Sequence, residues 1–488
     1  MTQNQIKKNL WFFPLGTVGR DMLYQLFTNF ILTFIMFTRQ LTAGQLAAIT
    51  AIMVGARIFD AFNDPIMGNI IDRTRTKWGK FKPWLVIGII TTSFVVYAAF
   101  NTKLQGNSFV WFFGFIYFMY SITYTMHDIS YWGMVPSLGT DAHLRDQFTS
   151  RTNLFAGVGG TLASILIPML TAGTMTIGGN TAYAYGKVAL MVCILAPAFL
   201  CFTIFGVRED RSYEKETPPP ISFKKIISVV KNNDQLCWIA LIFLLQQVGQ
   251  NICLNGLGSM YIYFEYGYEG GLWSLFTTVG MAATAFLMIF YPAISKKIQR
   301  KPFMSKMLIV SGIGYGVMFL SGILLPSGTV SFWITTFGYM FANFGFYAYY
   351  LIMMISIINT VEYNEWKNGE RDDAIIASVR PFVTKLGSAI CVAIVSLTYI
   401  IFGVTNYSNQ ISSLEQSASL GAITESEKLA KIADVIAQVQ PSQKIGMLVF
   451  ITIIPFIFML CSYLLYKKKY ILDEEEYARI CNEIDSRK

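Results

Sequence analysis

Long apolar stretches, separated by short polar ones, follow one another along the whole chain. Crossing the hydrocarbon core of a bilayer takes about twenty residues of helix, and twelve stretches approach or exceed that length. The pattern therefore predicts an all-α membrane protein with twelve transmembrane helices. The stretches lie at 16–38, 44–71, 83–101, 108–134, 152–172, 183–206, 235–264, 271–292, 305–325, 331–361, 374–403 and 444–466.

Two short loops rich in lysine and arginine predict the orientation of the chain. Such loops stay on the cytoplasmic side of the membrane, so both loops and both chain termini are expected there. The first loop follows the second stretch and carries Arg73, Arg75, Lys77, Lys80 and Lys82. The second loop follows the eighth stretch and carries Lys296, Lys297, Arg300, Lys301 and Lys306.

A polar stretch containing Pro218, Pro219 and Pro220 divides the twelve spans six and six. This division predicts two six-helix bundles, an arrangement typical of two-bundle transporters. A short helix is expected at Glu425–Ala437, within an outside loop rich in Ser, Gln, Glu and Ala. The predicted organisation is an N-terminal bundle over 1–206, a cytoplasmic central loop over 207–234, a C-terminal bundle over 235–470 with the outside loop at 404–443, and a cytoplasmic tail over 471–488.

Composition excludes several classes of protein. Of the 488 residues, 54% are apolar and only 14% are charged, which excludes a soluble enzyme. The net charge of +9 falls in short gaps between apolar stretches, so nucleic acid is not an expected partner. The seven cysteines lack CxxC pairs and are expected to be packing thiols, without disulfides or bound metal.

Several sequence signals are missing. Gly79 and Lys80 are followed by Phe81, so they do not form a phosphate-binding loop, and ATP is not the evident energy source. The first apolar stretch contains Arg20 and Asp21 and lacks a small-residue cleavage site, so a removable signal peptide is not expected. Neither a cofactor nor an enzymatic activity is predicted.

Ionisable residues interrupt the apolar spans, mostly in the first half of the chain. Each costs about 2.5–3.5 kcal/mol at the centre of a transmembrane helix, so these side chains are expected to meet water, a partner or a ligand. They are Arg20, Asp21, Arg57, Asp60, Asp64, Asp128 and Lys385.

Arg57, Asp60 and Asp64 are spaced so that they share one helix face. Two neighbouring carboxylates repel each other unless a cation lies between them or one takes a proton. Carboxylate and hydroxyl oxygens also suit hard ions, so this face is a candidate site for sodium, lithium or a proton. The alternative is a structural salt bridge of Arg57 with Asp60 or Asp64.

Thr125, Asp128 and Trp132 share a face of the fourth helix in the same way. A carboxylate beside an indole suits a sugar, because the acid accepts hydroxyl hydrogens while the ring covers the C–H face. Asp21, with Tyr24 one turn further on, offers a second acceptor. The alternatives are a structural ion pair of Asp21 with Arg20 and a role for Trp132 as an interfacial anchor.

Four segments together resemble a known family, the glycoside-pentoside-hexuronide:cation symporters of the major facilitator superfamily. The resemblance extends over about residues 10–466 and implies a multi-pass protein of the cell membrane, expected to be a monomer. The segments are ARIFDAFNDPIMG (56–68), DRTRTKWGKFKPW (72–84), YTMHDISYWGMVP (124–136) and TVEYNEWKNGERDD (360–373).

The resemblance also implies roles for individual residues. Arg20 stands where a family member has lysine, and Asn153 stands where it has a sugar-binding arginine, so the sugar is not assigned from the resemblance. The implied cation site consists of Asp60, Asn63, Asp64 and Thr125. The predicted sugar site consists of Arg20, Asp21, Tyr24, Asp128, Trp132, Asn153 and Tyr350. Supporting and gating roles are predicted for Arg57, Asp72, Arg73, Glu362, Arg371 and Lys385.

These observations predict a cation-coupled sugar symporter that works by alternating access. Its expected partners are a small sugar, a monovalent cation and membrane lipid. Two other functions stay open at this point, a cation-independent sugar facilitator and a non-transporting membrane sensor built on the same scaffold.

Overall fold

The computed structural model describes residues 3–138, 142–209, 223–295 and 298–487, and the elements in these ranges are helices. A 3₁₀ turn at Ile177–Gly179 precedes α6, and a π-helical turn at Cys253–Leu257 joins α8 to α9. In chain order the helices are α1 Gln3–Thr38, α2 Ala43–Arg73, α3 Lys82–Asn101, α4 Gly106–Leu138, α5 Ala142–Thr171, α6 Thr181–Gly206, α7 Phe223–Asn232, α8 Asp234–Ile252, α9 Gly258–Tyr266, α10 Gly270–Ser295, α11 Arg300–Leu324, α12 Thr329–Ile358, α13 Thr360–Asn368, α14 Asp373–Ile401, α15 Val404–Ser419, α16 Glu425–Ala437, α17 Pro441–Lys469 and α18 Glu474–Arg487.

Each apolar stretch of the sequence coincides with helical structure. The seventh stretch is built from α8, the π-helical turn and α9 together, and each of the others lies mainly on one long helix. Within the described ranges, nine helices are long and apolar enough to cross a membrane. The total of twelve spans and the cytoplasmic termini stay predictions. Lys296, Lys297 and residues 210–222 of the predicted central loop lie outside the described residues.

Capping side chains explain where two of the helices begin. At the start of α2, the Thr42 hydroxyl accepts the backbone N–H of Gln45, whose own side chain accepts the N–H of Thr42. Thr424 and Glu427 repeat this reciprocal capping at the start of α16. The predicted helix at Glu425–Ala437 is thereby confirmed as α16, whereas α15 was not predicted.

The chain divides into two compact units that do not follow a single cut in the sequence. The first unit comprises Met1–Pro220, Gly267–Ser274 and Tyr399–Val439, and the remaining residues form the second. In the first unit α1 packs on α5 and α6, and α4 packs on α2 and α3. In the second unit α11 packs on α12, and α17 packs on α8. The bundle limits given above stay a prediction.

The hairpin of α15 and α16 belongs to the first unit and is tied to the start of α6. The Glu415 carboxylate accepts the backbone N–H of Thr181 at 2.9 Å and lies 3.3 Å from the Lys428 ammonium group. Asn409 exchanges hydrogen bonds with both backbone groups of Leu41, at 2.9 and 2.8 Å. The predicted outside loop is therefore an ordered helical hairpin within this unit.

Small residues let α1 approach its neighbours closely. A Cβ atom on Gly159 of α5 would lie 2.2 Å from the carbonyl oxygen of Val18. A Cβ atom on Gly19 would lie 2.6 Å from the Cα of Ala196 on α6. Small residues at helix interfaces allow such close backbone contacts in membrane proteins. Here the contacts are made by Val18 and Gly19, so they position the part of α1 that carries Arg20.

The last helix of the second unit packs on α13. The Trp366 indole donates a hydrogen bond of 2.7 Å to Glu483, and Ile480 is fully buried. Arg300, at the start of α11, forms an ion pair with Glu474 at 3.0 Å. These contacts place the predicted cytoplasmic tail on the second unit as an ordered helix.

Candidate functional site

Arg20 joins two acids of the first unit. Its guanidinium group donates to the Asp21 carboxylate at 2.8 Å and to the Asp128 carboxylate at 3.2 Å. The Arg20 side chain is only 4% exposed, whereas 38% of the Asp128 side chain is accessible. The buried arginine thus holds α1 against α4 and leaves part of Asp128 open to a ligand.

Aromatic rings cover the Arg20 guanidinium group. Its central carbon lies 5.2 Å from the ring centre of Tyr131 and 5.4 Å from that of Trp132. Such cation–π contacts orient the planar group as well as stabilise it. The Tyr24 ring lies one turn further along α1, 5.4 Å from the ring of Tyr124.

The structure therefore brings together four of the residues predicted to bind sugar, namely Arg20, Asp21, Asp128 and Trp132. The Arg20–Asp21 ion pair, considered above as an alternative, is present as well. Asp128 contacts Arg20 and is also partly accessible. The Arg20–Asp21 ion pair is therefore compatible with a sugar-binding role for Asp128.

The predicted cation site lies between α2 and α4 of the same unit. Asp60 is 3% exposed, and one of its oxygens lies 3.7 Å from the Arg57 guanidinium group. Its other oxygen accepts a hydrogen bond from the hydroxyl of Ser121 on α4. The salt bridge considered as an alternative reading of Arg57 is thus formed, with Asp60 as its partner.

Asn63 and Asp64 also reach α4. The Asn63 amide donates to the backbone carbonyl of Ser121 at 3.4 Å, and the Thr125 hydroxyl donates to Asp64 at 3.0 Å. Every residue implied for the cation site is therefore part of one polar contact between α2 and α4. Oxygen atoms from carboxylate, hydroxyl and amide groups are the ligands that hard cations prefer.

One face of α4 connects the two candidate sites. Ser121, Thr125, Asp128 and Trp132 are spaced by four, three and four residues, which places them in a single row along the helix. The first two contact the acids of α2, and the last two contact Arg20 of α1. Ser121 was not predicted, although continuing the Thr125–Asp128–Trp132 row one turn back would have found it.

Tyr350 and Lys385 belong to the second unit, as do the predicted gate residues Glu362 on α13 and Arg371 just before α14. Tyr350 accepts a hydrogen bond of 2.9 Å from Arg380, and Lys385 lies half-buried on α14. Their predicted roles toward the acids of the first unit stay predictions.

The predicted gate residues Glu362 and Arg371 contact each other. The Arg371 guanidinium group lies 3.0 Å from Glu362 and 3.0 Å from Glu365. The hydrogen bond to Glu365 and the charges of nearby carboxylates raise the pKa of Arg371 above its usual value. Arg371 also lies 3.1 Å from Asp373, the first residue of α14, so this cluster links α13 to the start of α14.

The remaining predicted residues lie apart from these clusters. Asp72 forms an ion pair of 2.7 Å with Lys80, while Arg73 is exposed. Asn153 is also exposed on α5. Arg151, two residues earlier, instead donates to the carbonyl of Leu10 at 3.4 Å. The structure does not bring Asn153 into contact with the Arg20 cluster.

Comparison with known proteins identifies the family. A family model described as MFS/sugar transport protein matches residues 12–474. The chain belongs to the glycoside-pentoside-hexuronide:cation symporter family. This symporter family is part of the major facilitator superfamily, as the four sequence segments indicated.

Several curated relatives of this chain are named as sugar carriers. The lactose permease of Lactobacillus helveticus is 30% identical over 80% of the chain, and the chain spans 62% of the length of that protein. The chain spans the same share, 62%, of the lactose permease of Leuconostoc lactis, at 29% identity. The raffinose carrier protein of Pediococcus pentosaceus is 27% identical over 97% of the chain and 70% of its own length.

Solved structures confirm the major facilitator fold of this chain. A bacterial homologue of the human lysosomal transporter Spinster, in an inward-facing conformation, matches with a TM-score of 0.63 at 13% identity and covers 96% of the chain and 99% of its own. The xylose transporter XylE of E. coli matches with a TM-score of 0.55 at 12% identity. This match covers 97% of the present chain and 99% of the transporter. The chain is thus a multi-pass protein of the cell membrane, and its family consists of transporters, not enzymes.

Proposed function

We propose that this chain couples the movement of a sugar to that of a monovalent cation by alternating access. The observation that carries the proposal is the row of side chains on α4. Thr125 contacts Asp64 of the candidate cation site, and Asp128, one turn further on, contacts Arg20 of the candidate sugar site. The names of the curated relatives, which refer to lactose and raffinose, support a sugar as the substrate.

Coupling follows from this shared helix. A cation bound beside Asp60 and Asp64 offsets the repulsion between the two carboxylates and holds α4 through Thr125. A fixed α4 presents Asp128 and Trp132 to the sugar in one orientation, so less ordering is needed when the sugar binds. By linkage, a bound sugar raises the affinity for the cation by the same factor.

The charges of the two candidate sites favour a neutral glycoside over a uronate. The sites together contain two arginines and four carboxylates, and a bound monovalent cation leaves one excess negative charge. A neutral sugar can donate hydroxyl hydrogens to these acids, whereas a uronate would add a further negative charge in a desolvated site. The sugar that best fits this charge balance is a neutral glycoside.

Vesicle transport tests the proposal. Purified protein in sealed vesicles should accumulate a labelled neutral glycoside above its equilibrium level when a sodium, lithium or proton gradient is imposed. A labelled uronate of similar size should not accumulate. Movement of the sugar to equilibrium only, unaffected by every gradient, would instead indicate a facilitator. Sugar binding without any movement would indicate a sensor.

Asp64→Asn separates coupling from sugar binding. The amide keeps the shape of the side chain but removes the charge that attracts the cation, so gradient-driven accumulation should be abolished while sugar binding remains measurable. Asp128→Asn is the matched variant at the other site and should weaken sugar affinity by roughly tenfold or more, because a charged acceptor is lost. Full coupled accumulation by Asp64→Asn would contradict the assignment of the cation site.

A further inference from the structure

Ser121 is the point of α4 at which two of the predicted cation-site residues meet. Its hydroxyl donates to Asp60, and its backbone carbonyl accepts the amide of Asn63 at 3.4 Å. The side chain is 6% exposed and lies one turn before Thr125, which contacts Asp64. No motif of the sequence marks this residue.

Ser121 differs from other hydroxyl residues on the same helix. In membrane helices, a serine or threonine hydroxyl often donates to a carbonyl of its own helix, three or four residues earlier. Thr123 and Ser130 do so, donating to Met119 at 2.9 Å and to Met126 at 2.7 Å. The Ser121 hydroxyl instead crosses to α2 and contacts an acid.

We infer that Ser121 is a further residue of the cation site, which positions the Asp60 carboxylate and strengthens the binding of sodium or lithium. This inference rests on the proposed cation coupling. The hydroxyl has one hydrogen and two lone pairs, so it can donate to the Asp60 carboxylate and still offer its oxygen to a cation.

Two contacts hold the Asp60 carboxylate in place. The Arg57 guanidinium group lies 3.7 Å from one carboxylate oxygen, and the Ser121 hydroxyl donates to the other. The Asn63 amide donates to the Ser121 backbone carbonyl, so Ser121 contacts two of the predicted cation-site residues. Without the Ser121 hydroxyl, Asp60 loses this hydrogen bond to α4, and the binding of sodium or lithium should weaken.

Vesicle transport with Ser121→Ala tests this inference. The half-saturating concentration of sodium or lithium should rise roughly tenfold, because a hydrogen bond to a charged group is lost. Sugar affinity at saturating cation should stay within about twofold of the wild-type value, since Asp128 is untouched.

Two variants control for a purely structural role. Ser121→Thr keeps the hydroxyl and should restore the wild-type affinity for sodium or lithium. Ser130→Ala removes a buried hydroxyl from the same helix, one that contacts only its own backbone in the described contacts, and should leave that affinity unchanged. If Ser121→Ala does not fold, Ser121→Cys, with a thiol that is a weaker donor, carries the same expectation.

The outcomes separate this inference from the proposed function. An unchanged half-saturating concentration of sodium or lithium in folded Ser121→Ala, when the wild-type protein depends on that cation, would overturn the role of Ser121 and leave symport standing. A wild-type protein whose uptake ignores every cation gradient would overturn both. An equal shift in Ser121→Ala and Ser130→Ala would also overturn the inference, because loss of packing on α4 would then explain it.

Discussion

At the scale of single residues, Arg20 is the side chain on which the candidate sugar site depends. Arg20→Met removes the positively charged guanidinium group that lies between Asp21 and Asp128. Breaking a buried ion pair costs about 3–5 kcal/mol, and the cost is smaller here because 38% of the Asp128 side chain is accessible. We expect sugar affinity to fall by at least roughly tenfold, about 1.4 kcal/mol, in titration calorimetry of the purified protein.

Arg151→Met is the matched control for Arg20→Met. It removes the same functional group from α5, where the guanidinium group donates to Leu10 at 3.4 Å and covers the Trp11 ring at 5.1 Å. Sugar affinity should stay near the wild-type value in this control. Wild-type affinity in Arg20→Met would place the sugar site away from the α1–α4 contact.

At the scale of helices, the close approach of α1 to α5 positions the Arg20 cluster. Gly159→Ala would place a Cβ atom 2.2 Å from the backbone oxygen of Val18, and a backbone atom cannot rotate away as a side chain can. Forcing the helices apart should cost about 1–3 kcal/mol and displace Arg20. We expect a lower melting temperature and weaker sugar binding, both measured on purified protein.

Gly157→Ala provides the control on the same helix, since nothing lies within 4 Å of the Cβ atom it would add. Alanine favours helix more than glycine by about 1 kcal/mol, so the melting temperature should stay constant or rise. Equal losses of stability in both variants would mean that the change of residue type, rather than the contact with Val18, is responsible.

Local patterns in the sequence predict the helices and part of the site. Apolar stretches mark the long helices because a bilayer requires them. Asp60 and Asp64 lie three and seven residues after Arg57, which places all three on one face. The spacing also places Ser121 on the face of Thr125, but a serine in a membrane helix usually bonds to its own backbone. Its hydrogen bond to Asp60 depends on the position of α2, which the spacing does not give.

At the scale of the whole molecule, the composition of the two units could not be predicted from local patterns. Glu415 and Thr181 lie 234 positions apart, and neither belongs to a motif that predicts their contact. A polar segment between two spans resembles a solvated loop, so the sequence favoured assigning residues 404–443 to the second bundle. The tertiary contacts of the hairpin instead join it to the first unit.

The ion pair of Glu415 and Lys428 should therefore stabilise the first unit although both residues come from the second half of the sequence. The two side chains are 2% and 0% exposed, so removing either charge leaves the other buried without its partner. Glu415→Gln and Lys428→Met should each lower stability by roughly 3–5 kcal/mol. Thermal melting of the purified protein measures this loss.

The double variant Glu415→Gln/Lys428→Met should lose less stability than the sum of the two single losses, because no unpaired charge remains buried. Glu370→Gln, in an exposed pair with Lys225 at 3.5 Å, should change the melting temperature little. Additive losses in the double variant would show that Glu415 and Lys428 act independently. The buried apolar residues Ile411 and Ile432 would then be what holds the hairpin in place.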